Sequence, residues 1–263
     1  MTLEYMPLLQ VQRDLYAMPR DRTRFDAYLA AMTDATTGDL ALPLSAMNPM
    51  GKEHVPALLD QYLAADTDRQ TGHAVKACES SLDRIPGSFR VCLVIADDAK
   101  GGWTNRYTTE YAHRFEPRAM LKRGWVVGLL WTSEPAAAAT AVLEALVSVH
   151  RAAWLAQHEY ARSLRDMLAQ EGWAMARAGC TEPSLEADDL AYTRDAIGPH
   201  LDASDRATLM ACLFGDSAAR ALGYPPHGLS ERAGLALALH AERQRPATTP
   251  VVSRLGELGE DVR

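Results

Sequence analysis

A chain of 263 residues, 48% hydrophobic and 23% charged, has the balance of a folded protein with a sizeable core and excludes a disordered or low-complexity chain. Its net charge of -7, from 27 basic and 34 acidic side chains, argues against nucleic acid as a partner, because such affinity rests on neutralising phosphates. The 4 cysteines are far apart without a C-x-x-C pair, and no apolar run approaches the roughly 20 residues of a membrane helix. With no apolar leader in the first residues, the expected setting is the cytoplasm, without a membrane partner and with free, buried thiols.

Residues 3–32 carry apolar positions at helical spacing, broken at Pro19, which predicts two opening helices with Tyr16, Phe25, Tyr28 and Leu29 in the core. After the turn-rich "TDATTGD", the segment "LALPLSAM" reads as a first strand interrupted by Pro43. "MGKEHVPALLDQYLAAD" and "TDRQTGHAVKACESSLDRI" then form a helix pair. The clearest strand is "SFRVCLVIADD", where Val91 to Ile95 are continuously apolar and mostly β-branched, and "GWVVGLLWTS" is the second. Between them "TNRYTTEYAHRFEP" has room for about three helical turns, which gives a strand–helix–strand crossover.

Beyond Pro135 a long helical pattern places Leu146, Val149, Ala153, Tyr160, Leu164 and Met167 on one stripe and breaks near Gly172. Residues 185–244 continue mostly helical, with "LMACLF" open between strand and buried helix. "LFGDSAARALG" resembles the F-G-D-G-A segment of thiolase-fold condensing enzymes, but Ser217 replaces the last glycine and no matching catalytic cysteine context accompanies it, so no activity is carried over. "AARALGYPPHGLSERAG" resembles a helix-turn-helix, yet "LSERAGLALALH" is apolar enough for a core. The expected fold is α/β, a small, mainly parallel sheet with abundant flanking helices, formed by residues 1–244 as a single globular domain; residues 245–263 form a surface arm or tail.

In such a fold each turn after a strand leaves the same carboxyl edge, where ligands bind. "DDAKGGWTNR" therefore carries the main candidates. Asp98 is a general base; Gly101 and Gly102 allow close backbone approach; Asn105 and Arg106 hydrogen-bond a phosphate or carboxylate at the start of a helix. "NPMGKEH" adds Lys52 for the anion and Glu53 or His54 for proton transfer, against a plain account in which Asn48 caps a helix and Lys52 and His54 are exposed. In "WTSEP", Thr132, Ser133 and Glu134 either touch a ligand or Ser133 caps the helix containing Pro135.

The resulting expectation is an enzyme acting on a small anionic metabolite. Its reaction class, cofactor and oligomeric state are left open, and no metal ligands are assigned. Two alternatives stand beside it: a non-catalytic protein-interaction domain, and a metal-binding protein using Glu110 and His113 one helical turn apart. The metal reading competes with an i,i+4 pair between Glu110 and Arg114, and no second E-x-x-H is present.

Overall fold

Three parallel strands, β1 (Thr2–Tyr5), β2 (Ser88–Ala96) and β3 (Trp125–Trp131), lie side by side in that order, with Tyr5 opposite Val91 and Ala96 opposite Trp131. Val91 to Ala96 are all buried, which is why this strand reads as an unbroken apolar run. The computed structural model describes residues 1–245, and the chain divides into two compact units, Met1–Gln157 and a second beginning at His158.

In the first unit four helices separate β1 from β2: α1 (Leu8–Ala17), α2 (Arg22–Met32), α3 (His54–Ala64) and α4 (Thr67–Glu79). Helices α5 (Arg106–Phe115) and α6 (Arg118–Lys122) connect β2 to β3, and α7 (Ala138–Leu155) follows β3. Side chains on a strand alternate between faces. A Cβ on Gly128 would meet Ala145 of α7, whereas Trp131, three positions on, meets the guanidinium of Arg106 from α5 at 5.2 Å, so α7 and α5 cover opposite faces of β3. The α/β class with a small parallel sheet and flanking helices is therefore the observed one.

The second unit is helical throughout its described part: α8 (Leu164–Ala178), α9 (Ala187–Ile197), α10 (Arg206–Phe214), α11 (Asp216–Ala221) and α12 (Ala233–Arg243). α12 packs on α8, α9 and α10 and buries Ala233 to Leu239, so the second helix of the helix-turn-helix resemblance belongs to a core. "LMACLF" lies in α10 and is buried, the helical of its two readings.

Several sequence expectations are corrected. "LALPLSAM" is not a strand; Pro43 leaves it as turns, and the first strand is the short Thr2–Tyr5, which Pro7 separates from α1 and which reads as part of a helical pattern. Tyr16 and Tyr28 are buried, but Phe25 and Leu29 are exposed. The long helix breaks at residues 156–163, not at Gly172, because Ser163 and Asp166 form a reciprocal capping box that starts α8. Gly172 lies inside α8, where a Cβ would fall 2.5 Å from the carbonyl oxygen of Ala238, so it serves the close crossing with α12. Cys92, Cys180 and Cys212 are buried free thiols, and Cys78 is half-buried. No helix among the described residues is long and apolar enough to cross a membrane. Of the proposed C-terminal arm only Arg245 is described; residues 246–263 lie outside the described residues.

Candidate functional site at the strand ends

The chain leaves β2 at Asp97 and Asp98, and successive side chains turn opposite ways. Asp97 is buried and faces the segment before α3: Asn48 Nδ2 donates to its Oδ2 at 2.8 Å, and His54 Nε2 lies 2.7 Å from its Oδ1. Asp98 faces the end of β3, where its Oδ1 accepts from the Ser133 N–H at 2.9 Å and its Oδ2 from Ser133 Oγ at 2.6 Å. Thr132 Oγ1 stands 3.1 Å from Oδ1 of both carboxylates, joining the two halves of the site. Thr132 Oγ1 also accepts from the N–H groups of Asp98 and Ala99, which fixes the turn.

That turn requires glycine at one position above all. A Cβ on Gly102 would lie 2.1 Å from the Asp97 carbonyl oxygen, so only glycine lets the chain fold back over Asp97. Gly101, just before it, has φ of +77°, a left-handed conformation, beside the ammonium of Lys52, which donates to the Lys100 carbonyl at 2.9 Å. Asn105 caps α5: its Oδ1 accepts from the Thr108 N–H at 3.1 Å.

Arg106 opens α5 and reaches β3. It donates to Ser133 Oγ at 2.9 Å, bonds the Glu134 carboxylate, and lies 3.7 Å from Asp98 and 3.9 Å from Glu110. Its guanidinium is thus ringed by three carboxylates. Glu110 in turn accepts from Arg114 Nε at 2.9 Å, the expected i,i+4 pair. At His113, burial, and then the nearby charge of Arg151, push the pKa down to about 4. Among the described residues, no group of three or more His, Cys, Asp or Glu side chains is placed to hold a metal ion.

His54 differs from its plain reading. It is the first residue of α3, its side chain is only 10% exposed, and Nδ1 is buried without a hydrogen-bond partner among the described residues. A carboxylate accepting from Nε2–H holds the ring in the tautomer whose Nδ1 carries a lone pair. Asn48 is not a helix cap; its amide spans Asp97 and its own turn, with Oδ1 accepting from the Met50 N–H at 3.1 Å. The Tyr16 hydroxyl donates to the Asn48 carbonyl from below, and burial, with the Asp97 charge second, raises the pKa of that phenol.

Lys52, Asp98, Gly101, Gly102, Asn105 and Arg106 therefore all come to one edge of the sheet, as the sequence suggests. Glu53 does not join them: it is exposed, and among the described residues no hydrogen bond ties it to the Asp97 cluster. The sequence points to Asp98 and not to the partnership of Asp97 with His54 and Asn48, which lie more than forty positions away and carry no pattern linking them. Ser133 serves Asp98 rather than capping a helix, since α7 begins at Ala138. No protein-family model, curated protein or solved structure matches this chain.

Proposed function

We propose that the protein is an enzyme whose active site is the carboxyl edge of β2 and β3, where His54, oriented by Asp97, moves a proton to or from a small polar metabolite. The observation that carries this reading is the asymmetric hydrogen bonding of one imidazole: Nε2 at 2.7 Å from a buried carboxylate, Nδ1 buried without a hydrogen-bond partner among the described residues. An unsatisfied buried acceptor costs about 1–3 kcal/mol, which a ligand hydroxyl or N–H would recover. An imidazole whose second nitrogen is held by a carboxylate is the arrangement a general base needs.

This reading replaces Asp98 by His54 as the proton-transfer group, because Asp98 is already engaged by Thr132, Ser133 and Arg106. It also relieves Arg106 of the anion-holding role, since Glu134, Asp98 and Glu110 already offset its charge.

A thermal-shift screen of uncharged, carboxylated and phosphorylated metabolites, followed by turnover assays on each stabilising compound, tests it. Wild-type protein should convert at least one hit, and His54→Ala should lower kcat by about 100-fold or more while binding changes little. Conversion that survives His54→Ala and Asp97→Asn would overturn the assignment.

A further inference from the structure

At the start of α5 lies an open groove of about 610 Å³, within the range of small-molecule sites. One wall is a single stripe of α5. Asn105, Thr108, Thr109, Ala112 and His113 follow the i, i+3, i+4, i+7, i+8 spacing that brings side chains to one face. The other wall is Ser45 and Ala46, two or three positions before Asn48, and Trp103 and Thr104 close the end. The groove adjoins the proton-transfer pair through the backbone, as the Thr104 N–H donates to the Asp97 carbonyl at 3.2 Å.

Its chemistry is unlike that of the rest of the strand edge. No Asp, Glu, Lys or Arg lines it; the lining offers hydroxyls, one carboxamide, one imidazole and one indole. Among the described residues, the hydroxyls of Ser45, Thr104 and Thr109 make no side-chain hydrogen bond within the protein. Trp103 is 54% exposed and lines the groove with these hydroxyls. The imidazole of His113, with its pKa near 4, is uncharged at neutral pH.

We infer that this groove is the substrate-binding part of the site and takes an uncharged, hydroxyl-rich ring of sugar type, its apolar face against Trp103 and its hydroxyls on the Thr, Ser and Asn side chains of α5 and the 45–46 segment. An indole presents a large rigid apolar face with few rotors to freeze, and hydroxyls and a carboxamide both donate and accept, as ligand hydroxyls do. A charged ligand would meet no countercharge here and would give up its hydration. The inference rests on the proposed function in that it takes the groove as the ligand-holding part of the site that His54 serves.

Ligand-observed NMR titration of the full chain tests it with glucose, galactose, mannose, ribose, N-acetylglucosamine and myo-inositol, with adenosine and uridine as ring-stacking controls, and with glucose 6-phosphate and ribose 5-phosphate. At least one uncharged sugar or polyol should bind saturably, and its affinity should fall at least tenfold in Trp103→Ala and in Thr108→Val/Thr109→Val. Trp103 is exposed, so Trp103→Ala should keep the wild-type thermal midpoint. The inference is overturned if no sugar or polyol binds, if only the nucleosides bind, if a phosphate ester binds tenfold tighter than its parent sugar, or if Trp103→Ala leaves affinity unchanged. Binding that depends on Trp103 with turnover indifferent to His54→Ala would instead overturn the proton-transfer reading and leave the groove's ligand class standing.

Discussion

Gln12 of α1 takes the place of a missing strand beside β2. β1 stops at Tyr5, opposite Val91, and beyond it the Gln12 side chain continues the ladder: Nε2 donates to the Leu93 carbonyl at 3.0 Å and Oε1 accepts from the Ile95 N–H at 2.8 Å. This fully buried carboxamide mimics a peptide unit and holds the strand straight into Asp97. Gln12→Leu keeps the volume but strands one donor and one acceptor, so chemical denaturation should show a loss of about 3 kcal/mol. A variant as stable as wild type would mean that water or a strand shift replaces both bonds.

Gly102→Ala should disturb the site more than its size suggests. Its Cβ would fall on the Asp97 carbonyl oxygen at 2.1 Å, and backbone cannot swing aside as a side chain can. A destabilisation of about 2 kcal/mol is expected, with loss of any ligand-induced thermal shift. Gly101→Ala, at φ +77° but with only the Lys52 ammonium at 4.0 Å from its Cβ, should cost only about 1 kcal/mol, and equal effects at the two positions would contradict the close-approach account.

Asp98 and Arg106 form a mostly buried structural pair through Ser133. Arg106→Ala leaves Asp98 without its nearby cation, and Asp98→Asn puts an amide where Ser133 N–H and Oγ now donate. Each change should lower stability by about 2 kcal/mol, and a double-mutant cycle should return a coupling of about 1 kcal/mol. Strict additivity in that cycle would show that the two act independently.

His113 makes stability depend on pH. Its folded pKa is pushed down to about 4 by burial and by Arg151, below the unfolded value near 6.5, so the folded state binds fewer protons in that window. The contribution is fully present above about pH 6.5 and is lost as pH falls toward 4. Wild type should lose on the order of 3 kcal/mol more than His113→Gln between those pH values. Parallel stability curves for the two proteins would refute this.

Asp216 organises a turn in the second unit by accepting from the N–H groups of His227, Gly228 and Leu229 at 2.9, 3.1 and 3.0 Å. Burial works to raise its pKa, but these three bonds prevail and lower it, so its stabilisation is present above about pH 4 and is lost as pH falls through the folded value. Asp216→Ala should cost about 2 kcal/mol at neutral pH and increase amide exchange at residues 227–229. Unchanged exchange there would rule out the turn-holding role.

The unbroken apolar run Val91–Ile95, the similar run in β3 and the polar helix between them were legible because burial on both faces and helical periodicity leave direct marks on local sequence. The same logic identified the edge on which Lys52, Asp98, Gly101, Gly102, Asn105 and Arg106 meet, since a parallel crossover puts every outgoing turn at one end. It could not separate the roles of Asp97 and Asp98. Those depend on what each carboxylate faces, His54 and Asn48 from a segment before α3 or Ser133 and Arg106 at β3, and contacts between distant segments leave no periodic signal. Nor could it recognise β1, whose four residues are too few to show alternation, or Gln12, whose place in the ladder exists only once α1 packs beside β2. Local sequence determined which segments become strands and helices, because periodicity and turn chemistry act over a few residues; tertiary packing decided which side chains meet in the site, because that depends on proximity between segments far apart in the chain.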